Sequence, residues 1–78
     1  MTENAESHLD AKGLKCPLPV LRARKAMKSV AAGGLLTVEA TDPSSVQDFQ
    51  AFCETTGHVL ESREEAEGVY RFTIRKSG

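Results

Sequence analysis

Hydrophobic and polar residues change period several times along this chain, and each change marks an element. His8 to Lys12 alternates, with Leu9 and Ala11 on one side and His8, Asp10 and Lys12 on the other. That two-residue period is the mark of a short strand, and Gly13 ends it. Beyond Cys16, apolar residues return at three-to-four spacing through Val20, Ala23, Met27, Val30 and Ala31. This is a helical stripe, stopped by Gly33-Gly34. Leu35 to Ala40 alternates again and predicts a second strand with Leu36, Val38 and Ala40 inward. Thr41-Asp42-Pro43-Ser44-Ser45 is a helix-start cluster, with Asp42 as the cap and Pro43 at the first helical position. The helix it opens carries Val46, Phe49, Phe52 and Cys53 inward and ends near Gly57. Val59 to Glu64 and Val69 to Arg75 read as a final strand pair around Ala66-Glu67-Gly68, with Tyr70, Phe72 and Ile74 on one face.

The order β-α-β-α-β-β predicts an α+β fold. It is a two-layer α/β sandwich, a four-stranded mixed sheet with both helices on one face. The first two strands are joined through a helix and so run parallel, while the last pair is antiparallel. The single domain spans residues 8–76, and residues 1–7 are a disordered lead-in.

Size and charge narrow the chemistry. A chain of 78 residues leaves little interior for an enclosed substrate cavity, so chemistry is expected at an exposed group or a binding surface. The net charge of −1 gives no global pull toward DNA or membrane. No apolar stretch approaches the roughly 20 residues of a membrane span. Met1 to His8 is polar and acidic, without the charged and apolar regions of a secretory signal. The two cysteines are too few for a disulfide framework, do not form a C-x-x-C pair, and make no zinc spacing with His8 and His58. Both histidines are expected on exposed strand positions. The expectation is a cytoplasmic protein with two free thiols and no metal.

One of those thiols has a distinctive setting. Pro17 fits the first helical position and Pro19 the third, which puts Cys16 at the N-cap. Free N–H groups and the helix dipole favour an anion there, and a thiolate is the reactive form of cysteine. The Cys16 pKa is therefore expected below the ordinary thiol value. From Ala11 to Val38 there are six basic residues (Lys12, Lys15, Arg22, Arg24, Lys25 and Lys28) and no acidic one. Positive charge near a helix start opposes the dipole, so Lys15 and Arg22 suit a neighbouring thiolate or an acidic partner better than they suit the helix. A basic helix face is more commonly just solvated. Cys53, on the apolar stripe of the second helix, reads as an inert core residue.

The segment Leu9-Asp10-Ala11-Lys12-Gly13-Leu14-Lys15-Cys16-Pro17-Leu18-Pro19 resembles the signature of the TusA (SirA-like) sulfur-carrier family, a short strand followed by a Gly-Leu-x-Cys-Pro-x-Pro turn and a helix. The likeness continues through Arg24-Lys25, Thr41-Asp42-Pro43, Phe52-Cys53, Tyr70-Arg71-Phe72 and Ile74-Arg75-Lys76, and so covers residues 8–76. It implies the same β-α-β-α-β-β sandwich. It also implies that Cys16 accepts sulfane sulfur as a persulfide from a cysteine desulfurase or another persulfide donor, and passes it to a downstream acceptor protein. Gly13, Leu14, Pro17 and Pro19 are then the motif residues that present Cys16, and Lys15, Arg22, Lys25 and Lys28 are candidates for partner docking. No cofactor or metal is implied. In the best-known branch the relay ends in thiolation of the tRNA wobble uridine. Other branches serve sulfur oxidation or molybdenum-cofactor supply. The position between the prolines is often acidic in the tRNA branch, and here it is Leu18.

Two other readings stay open on the residues alone. One is a non-catalytic module binding an acidic protein or RNA through the basic first helix, although few aromatics are available for base stacking. The other is a redox pair of Cys16 with Cys53, which N-cap and core positions on different helices disfavour geometrically. A soluble monomer suits a carrier that must expose its sulfur, with no membrane and no direct DNA contact.

Overall fold

The computed structural model describes residues 6–77. The elements are β1 (Glu6–Ala11), α1 (Leu18–Met27), β2 (Leu35–Ala40), α2 (Ser45–Thr56), β3 (Val59–Ala66) and β4 (Val69–Arg75). They form one sheet in the order β1-β2-β4-β3. β1 pairs parallel with β2, and β4 pairs antiparallel with both β2 and β3. The expected mixed sheet is therefore present. α1 packs on β1 and β2, and α2 on β3 and β4.

Alternation decides which face the helices cover. Ala11, Leu36, Val38, Ala40, Phe72 and Ile74 are buried on one side of the sheet, while His8, Asp10, Arg71 and Arg75 stand exposed on the other. The core joins these residues to Ala23 and Met27 of α1 and to Phe49, Phe52 and Cys53 of α2. At its centre Phe49 stacks on Phe72 with ring centroids 4.7 Å apart, and meets Phe52 edge-on at 6.3 Å.

Several boundaries differ from the sequence expectation. β1 starts at Glu6, inside the expected lead-in, and ends at Ala11, while residues 1–5 lie outside the described part of the chain. α1 starts at Leu18 with Pro17 as its N-cap, so Cys16 lies one residue before the cap. α1 also ends at Met27, well before Gly33. Lys28, Ser29 and Val30 donate to the carbonyls three residues back. That tighter winding swings Val30 into the core, where it is 2% exposed. α2 begins at Ser45 with Ser44, not Asp42, at the N-cap, and closes on a left-handed Gly57. β3 runs on to Ala66 because the hairpin turn is only Glu67-Gly68, both at positive φ (54° and 81°). Two successive left-handed residues match the twist of the flanking strands. His58 precedes β3 and is half-buried, its ring 5.6 Å from that of Phe52.

Candidate functional site

Parallel pairing of β1 with β2, in the register Ala11 to Ala40, delivers two loops side by side at the carboxyl ends of neighbouring strands. The first loop, residues 12–17, carries Cys16. The second, residues 41–44, leads into α2. Backbone hydrogen bonds shape the first: Leu14 N–H donates to Ala11 O at 3.3 Å and Leu18 N–H to Lys15 O at 2.8 Å. Gly13 sits at φ +82°, a conformation that costs an L side chain roughly 1–2 kcal/mol. Leu14 packs against the core, and Pro19 is fully buried. With both flanks of the loop anchored, Cys16 and Pro17 stay at the surface. The Cys16–Pro17 peptide is cis.

The second loop reaches across to the first. Gly13 N–H donates to Thr41 Oγ1 at 3.0 Å, and Cys16 N–H donates to Asp42 Oδ2 at 2.6 Å. The other oxygen of Asp42, Oδ1, accepts the N–H of Ser44 at 3.0 Å. These bonds, followed by the nearby positive charge of Lys15, hold the Asp42 carboxyl below its ordinary pKa.

The electrostatics at the sulfur reverse the sequence expectation. The Asp48 carboxylate, in the first turn of α2, lies close enough to the Cys16 thiol to be the strongest influence on its ionisation. This proximity, then some desolvation, then the charges of Asp48 and Asp42, raise the thiol above its ordinary value. The helix dipole does not offset them, for two structural reasons. Cys16 lies outside the N-cap, and neither Pro17 nor Pro19 has an N–H to offer. Cys16 is therefore an exposed thiol whose pKa is pushed up chiefly by the carboxylates of Asp48 and Asp42. Cys53 is buried, and desolvation raises its thiol too. Both cysteines are free.

The basic residues singled out from the sequence are all exposed but do not form one patch. Arg22 and Lys25 line a shallow groove with Leu9, Leu18, Leu21, Ala26 and Ser29. Leu18 and Leu21 are among the few large apolar side chains left open, at 43% and 51% exposure. Lys15 lies on the cysteine loop. Lys28 lies at the far end of α1, on a separate cleft with His58 and Lys76.

Thr41, Asp42 and Asp48 belong to this neighbourhood, and the sequence reading missed them as site residues. The sequence pattern presents Asp42 only as a helix cap. The available signal was the β1-α1-β2 order: parallel neighbours place the segments after β1 and β2 at the same edge of the sheet.

Known proteins share this chain's sequence and shape. The family model described as "Sulfurtransferase TusA" matches residues 7–76. The sulfur carrier protein TusA of Allochromatium vinosum is 49% identical over 72 residues, covering 92% of this chain and 95% of that protein. The sulfur carrier protein TusA of Pseudomonas aeruginosa is 45% identical over 76 residues, covering 97% and 96%. The crystal structure of a SirA-like protein from Desulfitobacterium hafniense superposes with a TM-score of 0.80 at 37% identity, over 92% of this chain and 99% of that one.

Proposed function

The chain belongs to the TusA sulfurtransferase family, and from that premise we propose that it is a sulfur carrier whose cargo rides as a persulfide on Cys16. The observation that carries this reading is the placement of an exposed cysteine in the Gly-Leu-x-Cys-Pro-x-Pro loop, in a chain whose relatives are named sulfur carriers. Residues 8–76 act as the single carrier domain, and the cytoplasm is its place of work.

Loading is a thiol–persulfide exchange. The Cys16 thiolate attacks the outer sulfur of a donor persulfide, from a cysteine desulfurase or a comparable protein. One S–S bond forms as another breaks. The donor leaves as a thiolate, and Cys16 becomes Cys16-S-SH. Delivery repeats the exchange: an acceptor thiolate attacks the outer sulfur and Cys16 departs as thiolate. No net oxidant is needed in either step. A thiol of raised pKa is less ionised but a stronger nucleophile once ionised. Its proton therefore has to leave as the donor docks, and the departing donor thiolate, a far stronger base than a carboxylate, takes it up as the new S–S bond forms.

Gly13, Leu14, Pro17 and Pro19 present the sulfur. Arg22 and Lys25, with the exposed Leu18 and Leu21, form a docking face, Lys15 adds a positive charge on the cysteine loop, and Lys28 offers a second contact on the separate cleft at the end of α1. This combination suits an apolar partner surface rimmed by carboxylates. The downstream acceptor belongs to tRNA thiolation, sulfur oxidation or molybdenum-cofactor supply. Leu18, apolar where the tRNA branch is often acidic, favours one of the other two.

Intact-mass analysis after incubation with a cysteine desulfurase, pyridoxal phosphate and cysteine tests the reading. The expected result is an adduct of one sulfur atom, lost on reduction and absent from Cys16→Ser. An adduct that survives Cys16→Ser, or none on the native chain, refutes it. A non-catalytic docking module would instead keep its cellular function in Cys16→Ala and lose it on charge reversal at Arg22 and Lys25.

A further inference from the structure

We propose that Asp42 is the positioning residue of Cys16: its carboxylate ties the cysteine loop to the loop before α2 and fixes the backbone from which the sulfur projects. The proposal rests on the sulfur-carrier reading above.

The geometry gives each oxygen one task. Oδ1 accepts Ser44 N–H at 3.0 Å, two residues along its own loop, and Oδ2 accepts Cys16 N–H at 2.6 Å, across 26 positions of sequence. The first bond is an Asx turn that orients the side chain, and the second uses that orientation to hold the neighbouring loop. The parallel bond from Gly13 N–H to Thr41 Oγ1 secures the start of the same loop. Donors near the sulfur are few. Pro17 and Pro19 have none, and the Leu18 N–H is taken by Lys15 O. The Cys16 N–H is given to Asp42. Two backbone donors need two acceptor oxygens on one short side chain. Asparagine supplies one acceptor oxygen, and glutamate carries its pair one methylene farther out.

Charge and placement act in opposite directions here, which makes the role separable from mere structural support. The charged groups around Asp42 are Lys15, on the cysteine loop, and Asp48, on α2, which together with Asp42 sets the charge at the thiol. Removing the Asp42 carboxylate takes an anion away from the thiol and makes it easier to ionise. The same change releases the loop. A small neutral reagent that needs only the thiolate then reacts faster, while a protein partner that needs the sulfur in one place reacts more slowly.

The experiment uses the full chain carrying Cys53→Ala, so that Cys16 is the only thiol, with nitrogen-15 label. As the pH falls, the amide resonances of Cys16 and Ser44 are expected to move together through one midpoint below the ordinary aspartate value of 3.8. In Asp42→Ala, alkylation of Cys16 by iodoacetamide at neutral pH is expected to speed up. Sulfur transfer from a persulfide-loaded cysteine desulfurase is expected to slow by about tenfold, the scale set by one charge-assisted hydrogen bond. Asp42→Asn, which keeps one acceptor, recovers part of the transfer rate but not the slower alkylation. A Cys16 amide that titrates independently of Ser44, or alkylation and transfer changing in the same direction, overturns the proposal. Should the native chain take up no sulfur at all, the carrier reading fails, while the amide titration and the alkylation rates still decide the role of Asp42.

Discussion

Replacing Phe49 with alanine tests the packing that aims α2 at Cys16. Phe49 is fully buried and stacks on Phe72 at 4.7 Å with an interplanar angle of 26°. It also meets Phe52 at 6.3 Å and 90°. Phe49 thus joins α2 to β4 across the sandwich, and its chain neighbour is Asp48, the carboxylate beside the Cys16 thiol. A buried Phe→Ala change costs about 3–5 kcal/mol, more where the surroundings cannot collapse. Phe72 is held in the central ladder between β2 and β3, so little collapse is open to it. Domains hold about 0.05–0.15 kcal/mol per residue, so a chain of 78 residues has about 4–12 kcal/mol in total. Phe49→Ala therefore removes about a quarter or more of the stability. Phe49→Leu keeps most of the volume and loses mainly the aromatic geometry, for about 1–2 kcal/mol. Urea unfolding followed by far-ultraviolet circular dichroism is the assay. The midpoint should fall in the order native, Leu, Ala, with an unchanged slope. An alanine variant within about 1 kcal/mol of native, or equal to the leucine variant, would refute the view that Phe49 anchors the two layers.

Other consequences are open to direct measurement. The Cys16 thiol should titrate above the ordinary value in pH-dependent thiolate absorbance, and Asp48→Asn should move its midpoint down; an unmoved midpoint contradicts the role assigned to Asp48. Asp42 has a depressed folded pKa, so its stabilisation is present above the unfolded aspartate value near 3.9 and is lost as pH falls through the lower folded value. Native and Asp42→Asn chains should accordingly differ in denaturation midpoint at pH 6 and converge in strong acid. The Ser45 hydroxyl is buried with no hydrogen-bond partner among the described residues, so Ser45→Ala should be neutral or raise stability by up to about 1 kcal/mol; a loss beyond that would reveal a partner for the hydroxyl. Glu39 bridges Lys12 and Arg71 at 3.0 and 2.9 Å on the open face of the sheet. Glu39→Gln should lower the denaturation midpoint only slightly, and by less in high salt.

Periodicity made the elements legible, because one covered face forces alternation in strands such as Leu35–Ala40 and a stripe in α2. Ends were less legible because they depend on local winding. The tightened turn after Met27 and the two-residue hairpin at Glu67-Gly68 are choices between close alternatives that apolar spacing does not encode. Cys16 itself could be found from its prolines. Its electrostatics could not, because Asp42 and Asp48 reach the sulfur only through tertiary juxtaposition. Counting local charge pointed to Lys15 and the arginines of α1, but a side chain 26 or 32 positions away in sequence proved nearer to the chemistry.

The parallel pairing of β1 with β2 also fixes when the thiol can acquire its surroundings. Its neighbours come from a loop that is synthesised only after all of α1 and β2, and strand pairings of that separation form late because a long segment must close first. A nascent or unfolded chain therefore carries Cys16 with the acidity of any exposed cysteine. Completing the sheet makes that same atom less ionised without hiding it. The finished fold thus gives an exposed thiol carboxylate neighbours that an unfolded chain does not hold in place, while leaving it open to a partner large enough to dock.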